Sequence, residues 1–208
     1  MRTIIVITLS LLSLALKAQD RYEQGMTKAF ELWQAGQSQE ASNLFERIAK
    51  VETDNWLPAF YVAQINVINS FNEKDKDKLT AQLNKAMDYL NDASALSPEN
   101  ADIEVVRAQW YTAWIVYDGQ QYGMKYSAKV NELYSKAKEL DPTNPRAAFG
   151  KVEWDMGAAQ FFGQPIEPYC DQLREALQLF TTFKPAGKFH PSGGEEYARQ
   201  VVESRCGK

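Results

Sequence analysis

"YLNDASALSPENADIEV" (89–105) and "LYSKAKELDPTNPRAAF" (133–149) align without a gap at an offset of 44. In both, an Ala-x-x-Leu-x-Pro-x-Asn run closes one apolar-periodic segment and opens the next. Ala93, Leu96, Pro98 and Asn100 fall on Ala137, Leu140, Pro142 and Asn144. An earlier block fits at an offset of 45, placing Ala41, Phe45, Ile48, Val51 and Asn55 on Ala86, Leu90, Ala93, Leu96 and Asn100. A weaker fourth copy carries Leu173, Leu177, Phe180 and Pro185 at the corresponding places. Apolar residues recur at spacings of three and four, the period of an amphipathic helix, and the alternation of strands is absent. Self-similarity at a period of 20–50 residues built from helix pairs is the signature of a solenoid, in which each pair buries its apolar face only against its neighbours. The expected fold class is therefore all-α: an α-solenoid of about four antiparallel helix pairs closed by a C-terminal capping helix.

The periodicity and its stop signals predict nine helices, near 21–35, 38–52, 55–71, 77–96, 101–118, 126–140, 145–160, 166–182 and 193–205. Gly36, Ser97-Pro98, Asp118-Gly119, Asp141-Pro142, Gly163 with Pro165, and Lys184-Pro185 supply the breaks. The repeats are expected at 22–54, 55–99, 100–143 and 144–187 within one domain, 20–208, with 193–205 as the cap.

At these residues the chain resembles the tetratricopeptide repeat (TPR) family. The first helices carry Ala29, Ala63, Ala108 and Val152 where that family wants a small side chain. The second helices carry Ala41, Ala86 and Val130, then Ile48, Ala93 and Ala137. Small residues there let the paired helices approach closely. "AGQSQEASNLFERIAK" (35–50) is the best single match. The family period is about 34, and only the first repeat keeps it. The later repeats hold about ten extra residues, in "NSFNEKDKDKLT" (69–80), "DGQQYGMKYSA" (118–128) and "FFGQPIEPYCD" (161–171), which are expected to lie between the two helices.

The resemblance implies a concave face lined by the first helix of each pair. By that helix phase Met26, Phe60, Val105 and Phe149 share one position, Phe30, Gln64, Gln109 and Glu153 another, and Trp33 leads a third. Apolar anchors beside amides suit an extended peptide or an amphipathic helix in a groove. The first functional expectation is thus a non-catalytic scaffold with a protein or peptide partner. The second is a periplasmic small-ligand carrier for a glycan or nutrient, prompted by the aromatic and amide-rich "WYTAWIVYDGQQYGMKY" (110–126).

Other motifs point away from catalysis. Gly193-Gly194-Glu195-Glu196-Tyr197 is similar to the nucleotide-holding loop of diguanylate cyclases, but only eleven residues follow it and helical repeats precede it. Ser192 with Glu195 three residues on reads instead as a capping box opening the last helix. "NEKDKDK" (72–78) lacks the central Gly and the closing bidentate Glu of a calcium loop. His190 is the single histidine, so a zinc set has no second imidazole. No catalytic residue, metal or cofactor is expected.

The first residues read as a secretory signal peptide, 1–19: Arg2, the apolar run Ile4–Leu16, then Lys17-Ala18-Gln19. The run is too short to span a bilayer comfortably, and no Cys follows it for lipidation. The Ala-Gln end resembles exported proteins of Bacteroidota, giving an expected location in the periplasm or the medium with no transmembrane segment after cleavage. Without Arg2 and Lys17 the chain holds 21 basic and 27 acidic residues, about −6 net. No concentrated basic patch exists, which argues against nucleic acid as a partner. Cys170 and Cys206 sit at the start of the eighth predicted helix and the end of the ninth. Antiparallel neighbours bring those ends together, so a disulfide is expected.

Overall fold

A computed structural model of the protein describes residues 19–207. The expected signal segment lies, but for Gln19, outside those residues. The described residues form nine α-helices and no strand. They are α1 (19–34), α2 (Ser38–Ala49), α3 (Trp56–Ser70), α4 (Lys76–Leu96), α5 (Ala101–Tyr117), α6 (Gly119–Leu140), α7 (Pro145–Phe161), α8 (Cys170–Thr182) and α9 (Glu195–Cys206), with a 3-10 turn at Glu167–Tyr169. Consecutive helices pack together, α3 on α4 and α5 on α6 most extensively, and the stack runs on through α7, α8 and α9.

The repeated Asn explains where the odd-numbered helices begin. Asn55, Asn100 and Asn144 are the N-caps of α3, α5 and α7, and each side-chain oxygen accepts from backbone N–H groups of the first turn. Each such cap is worth about 1 kcal/mol. Asn144 also donates to Asp102 at 3.0 Å, tying two successive inter-repeat turns together. The small contact residues are where close packing needs them: Ala29, Ala41, Ala63, Ala86, Ala93, Ala108 and Ala137 have no exposed surface. At Gly150 of α7 a Cβ would come within 2.5 Å of the Tyr134 ring, so a glycine is what lets α6 and α7 close.

Two expectations fail locally. The extra residues of the later repeats do not all form connecting loops. They lengthen the second helices, so α4 has 21 residues and α6 has 22, against 12 in α2. Asp118 alone joins α5 to α6, closing one helix and accepting from Gln121 N of the next. The stretch after it reads as a loop because Gly119 and Gly123 lower helix propensity. Aromatic packing overrides that: Tyr122 stacks on Tyr126 at 5.6 Å and meets Trp114 at 5.0 Å. By contrast Asp75 lies in the short connection left between the expected helices 55–71 and 77–96, where it is the N-cap of α4 and accepts from Asp77 N and Lys78 N.

The capping box at Ser192 is also not formed. Helix α9 starts at Glu195, and its N-cap is Gly194 at φ 112°, a left-handed backbone that favours glycine. A Cβ there would sit 3.3 Å from the Phe180 ring. Close approach of the turn to α8, rather than a hydroxyl cap, fixes this helix start.

Candidate functional site

The segment between α8 and α9, residues 183–194, crosses back over the first helices of the repeats as a strap. Phe189 is its anchor. Its ring meets Tyr22 edge-on at 5.7 Å and stacks on Phe30 at 6.0 Å, while Tyr61 Oη donates to its carbonyl at 2.8 Å. Tyr61 and Phe189 are 128 positions apart. Beside them Lys188 pairs with Glu23 at 2.9 Å and His190 packs edge-on to Trp56 at 5.8 Å. At the other end of the strap the Arg146 guanidinium lies over the Phe183 ring, 4.7 Å from its centre.

Helix packing decides where the predicted groove residues stand. Met26, Phe60, Val105 and Phe149 are 0, 1, 4 and 4 % exposed. They are core residues, and a side chain with no surface has nothing to offer a partner in this conformation. The helix phase does bring them to one side of the repeats, but close packing there seals them. Phe30 lies under Phe189 and against Phe45 and Tyr61. Trp33, Gln64 and Gln109 are half-buried, and the Gln109 Oε1 atom has no hydrogen-bond partner. Glu153 accepts from Tyr197 Oη of α9 at 2.5 Å. Cys170 and Cys206 are joined as a disulfide with Cα atoms 5.5 Å apart. Arg174 Nη2 reinforces that corner by donating to the Cys206 carbonyl at 3.1 Å.

The Glu153–Tyr197 contact carries a pH signature. Burial raises the Glu153 carboxyl above its ordinary value, and the Tyr197 hydroxyl and the Arg205 charge pull it back only in part. A carboxyl whose folded value is raised favours folding while protonated. That contribution is present below its unfolded value near 4.3 and is lost as pH rises through the folded value. Glu153→Gln keeps an acceptor for Tyr197 without the charge. The variant is therefore expected to unfold at a higher temperature than wild type at pH 7, with the gap closing toward pH 4. A pH series of thermal melts checks this, and a variant less stable at pH 7 contradicts it.

Between the strap and the inter-repeat turns lies a cavity of about 710 Å³. Trp56, Leu140, Leu179 and Phe183 give it apolar walls on one part, and the rest of its lining is polar, with the carboxylates of Glu99, Asp102 and Asp141 alongside Lys184, His190 and Asn100. Its volume lies in the range of roughly 300–1,000 Å³ typical of small-molecule sites. The sequence reading missed this place because strap and turns are far apart in the chain. The signal available was the equivalence of the Asn100 and Asn144 turns, which share one end of the solenoid. Among the described residues no group of three or more His, Cys, Asp or Glu could hold a metal ion, and no helix is long and apolar enough to cross a membrane.

No protein-family model matches the chain, and no curated protein matches it significantly. Solved structures do. A HusA haemophore from Porphyromonas gingivalis superposes with a TM-score of 0.75 at 22% identity, over 88% of this chain and 92% of that one. A thermophilic TPR protein of Thermus thermophilus superposes with a TM-score of 0.57 at 15% identity, over 88% of this chain and 97% of its own. The fold is TPR-like. Within that TPR-like frame the strap lies against α1 and α3 at Tyr22, Phe30 and Tyr61 and against Arg146 of α7.

Proposed function

We propose that the protein is an exported, non-catalytic carrier that holds a flat, largely apolar small molecule beneath the strap, in the periplasm or outside the cell. The observation that carries this reading is the cavity between strap and inter-repeat turns. It sets the Trp56 and Phe183 rings beside polar and charged groups that make up about half of its lining. A haemophore shares the fold over nearly the whole chain, so the tetrapyrrole class is the first to test, ahead of the glycans and nutrients suggested by composition.

A peptide in the concave groove is the second reading. It is favoured by the half-buried Gln64 and Gln109, which share one repeat-equivalent position on the first helices. Such a peptide needs either the space beside the strap or the strap's own place.

One titration separates the two. Iron-free protoporphyrin is expected to quench tryptophan fluorescence saturably, with Trp56→Phe removing part of the quenching, and to raise the melting temperature. A ligand at 100 times its Kd stabilises the native state by about 2.7 kcal/mol. Non-saturable quenching with no thermal shift overturns the carrier reading. Saturable binding of a synthetic peptide copying residues 183–194, with no porphyrin binding, puts the groove reading in its place.

A further inference from the structure

Arg146 stands at the start of α7, outside the cavity's own lining but in contact with Asp102 and Phe183, which belong to it. Its side chain is only 9 % exposed. Nε donates to Asp102 Oδ1 at 2.7 Å, and the same oxygen accepts from Asn144 Nδ2. Nη1 and Nη2, the paired fork of the guanidinium, are buried without any acceptor. A buried cation with two unpaired donor groups is costly for a fold to keep. Its immediate neighbours, Asp102, Asn144 and Phe183, all line the cavity. The other carboxylates of the lining, Glu99 and Asp141, form no ion pair with it, and Asp141 Oδ1 accepts from Thr143 N and Oγ1. Lys184, next to the covering ring, adds a second cation to the cavity margin.

We infer that Arg146 is the anion receptor of the cavity: a carboxylate on the edge of the ligand docks across its Nη1–Nη2 fork as the Phe183 ring shifts aside, with Lys184 serving a second acidic group. This rests on the carrier reading and narrows it to ligands that are flat, apolar on their faces and acidic on one edge. The guanidinium suits the task because its planar fork matches a carboxylate in two parallel hydrogen bonds, which a lysine ammonium does not. Asp102 holds the fork in orientation through Nε and leaves both Nη groups for the ligand. Phe183 acts as a removable cover, stacked on the face of the guanidinium rather than bonded to its edge.

The test is equilibrium binding of protoporphyrin, which carries two carboxylates, and of its dimethyl ester, which carries none, to wild type, Arg146→Gln and Arg146→Lys. Wild type is expected to prefer the acid by about tenfold or more. Arg146→Gln should erase the preference by weakening acid binding while leaving the ester unchanged, and Arg146→Lys should restore it in part. Equal binding of acid and ester by wild type overturns the inference and leaves the carrier reading standing, as does equal weakening of both ligands in Arg146→Gln. Failure of both porphyrins to bind wild type overturns the carrier reading itself. Circular dichroism checks folding, since Arg146→Gln leaves Asp102 without its cation. If that variant unfolds, Arg146→Lys alone decides: weaker acid binding with unchanged ester binding supports the receptor, and no change in either overturns it.

Discussion

Phe60→Ala is expected to lower the unfolding free energy by about 3–5 kcal/mol, the range for removing a large aromatic from a packed core. Phe60 is 1 % exposed, with Trp56 edge-on at 5.3 Å and Tyr61 edge-on at 5.2 Å. Deleting the ring removes its burial and leaves a hole among residues of α3 whose own positions are fixed by neighbouring helices. The surroundings cannot collapse cheaply, because Tyr61 is held from the other side by Phe45 at 5.1 Å and by its bond to the strap carbonyl. Urea unfolding followed by helical circular dichroism measures the effect. A loss below about 1 kcal/mol, the usual scale for surface positions, means that Phe60 faces solvent and returns it to the groove. The same substitution distinguishes the two functional readings at one residue. A groove contact loses partner affinity at little cost in stability, whereas a core residue loses stability first.

That residue shows what one sequence can and cannot carry. The helix phase places Phe60, Val105 and Phe149 at one repeat-equivalent position, which follows from spacing alone. Whether that position faces water depends on what the rest of the chain lays over it. The legible signals act within one turn of chain or between helices that are neighbours in sequence. Asn55, Asn100 and Asn144 cap helices, alanines mark close helix contacts, and Cys170 and Cys206 meet because neighbouring helices run back on each other. The strap was not legible, since Phe189 finds Tyr22, Phe30 and Tyr61 across more than a hundred residues with no periodicity to announce it. The α5–α6 junction failed for a different reason. Two glycines spoke for a loop, and tertiary packing of Trp110, Trp114, Tyr122 and Tyr126 spoke more strongly for a helix. Arg146 was missed because its role depends on which of its donors find acceptors, a property of the folded surroundings rather than of the Pro-Arg-Ala sequence that contains it.

The second large effect is expected on reducing the disulfide. The bridge spans 36 positions, and the chain-entropy account assigns a loop of that length roughly 4 kcal/mol. At about 2–4 °C per kcal/mol for a chain of this size, reduction or a Cys170→Ala/Cys206→Ala pair should lower the melting temperature by about 8–15 °C. The loss should begin at the C-terminal end. Helix α9 buries Ala198, Val201 and Val202 in a small cluster with α7 and α8 and reaches no deeper into the stack, so its hold on the fold leans heavily on the bridge. Because α9 is the far tether of the strap, freeing it loosens Phe183 and Phe189 as well. Hydrogen exchange should therefore show residues 183–206 losing protection before α3 and α5. An equal melting temperature with and without reductant would count against a bridge that carries load. If the strap roofs the binding cavity, ligand affinity should fall with the thiols reduced even at temperatures where α1 to α6 remain folded. The disulfide would then act on binding at a distance, by holding the cover in place.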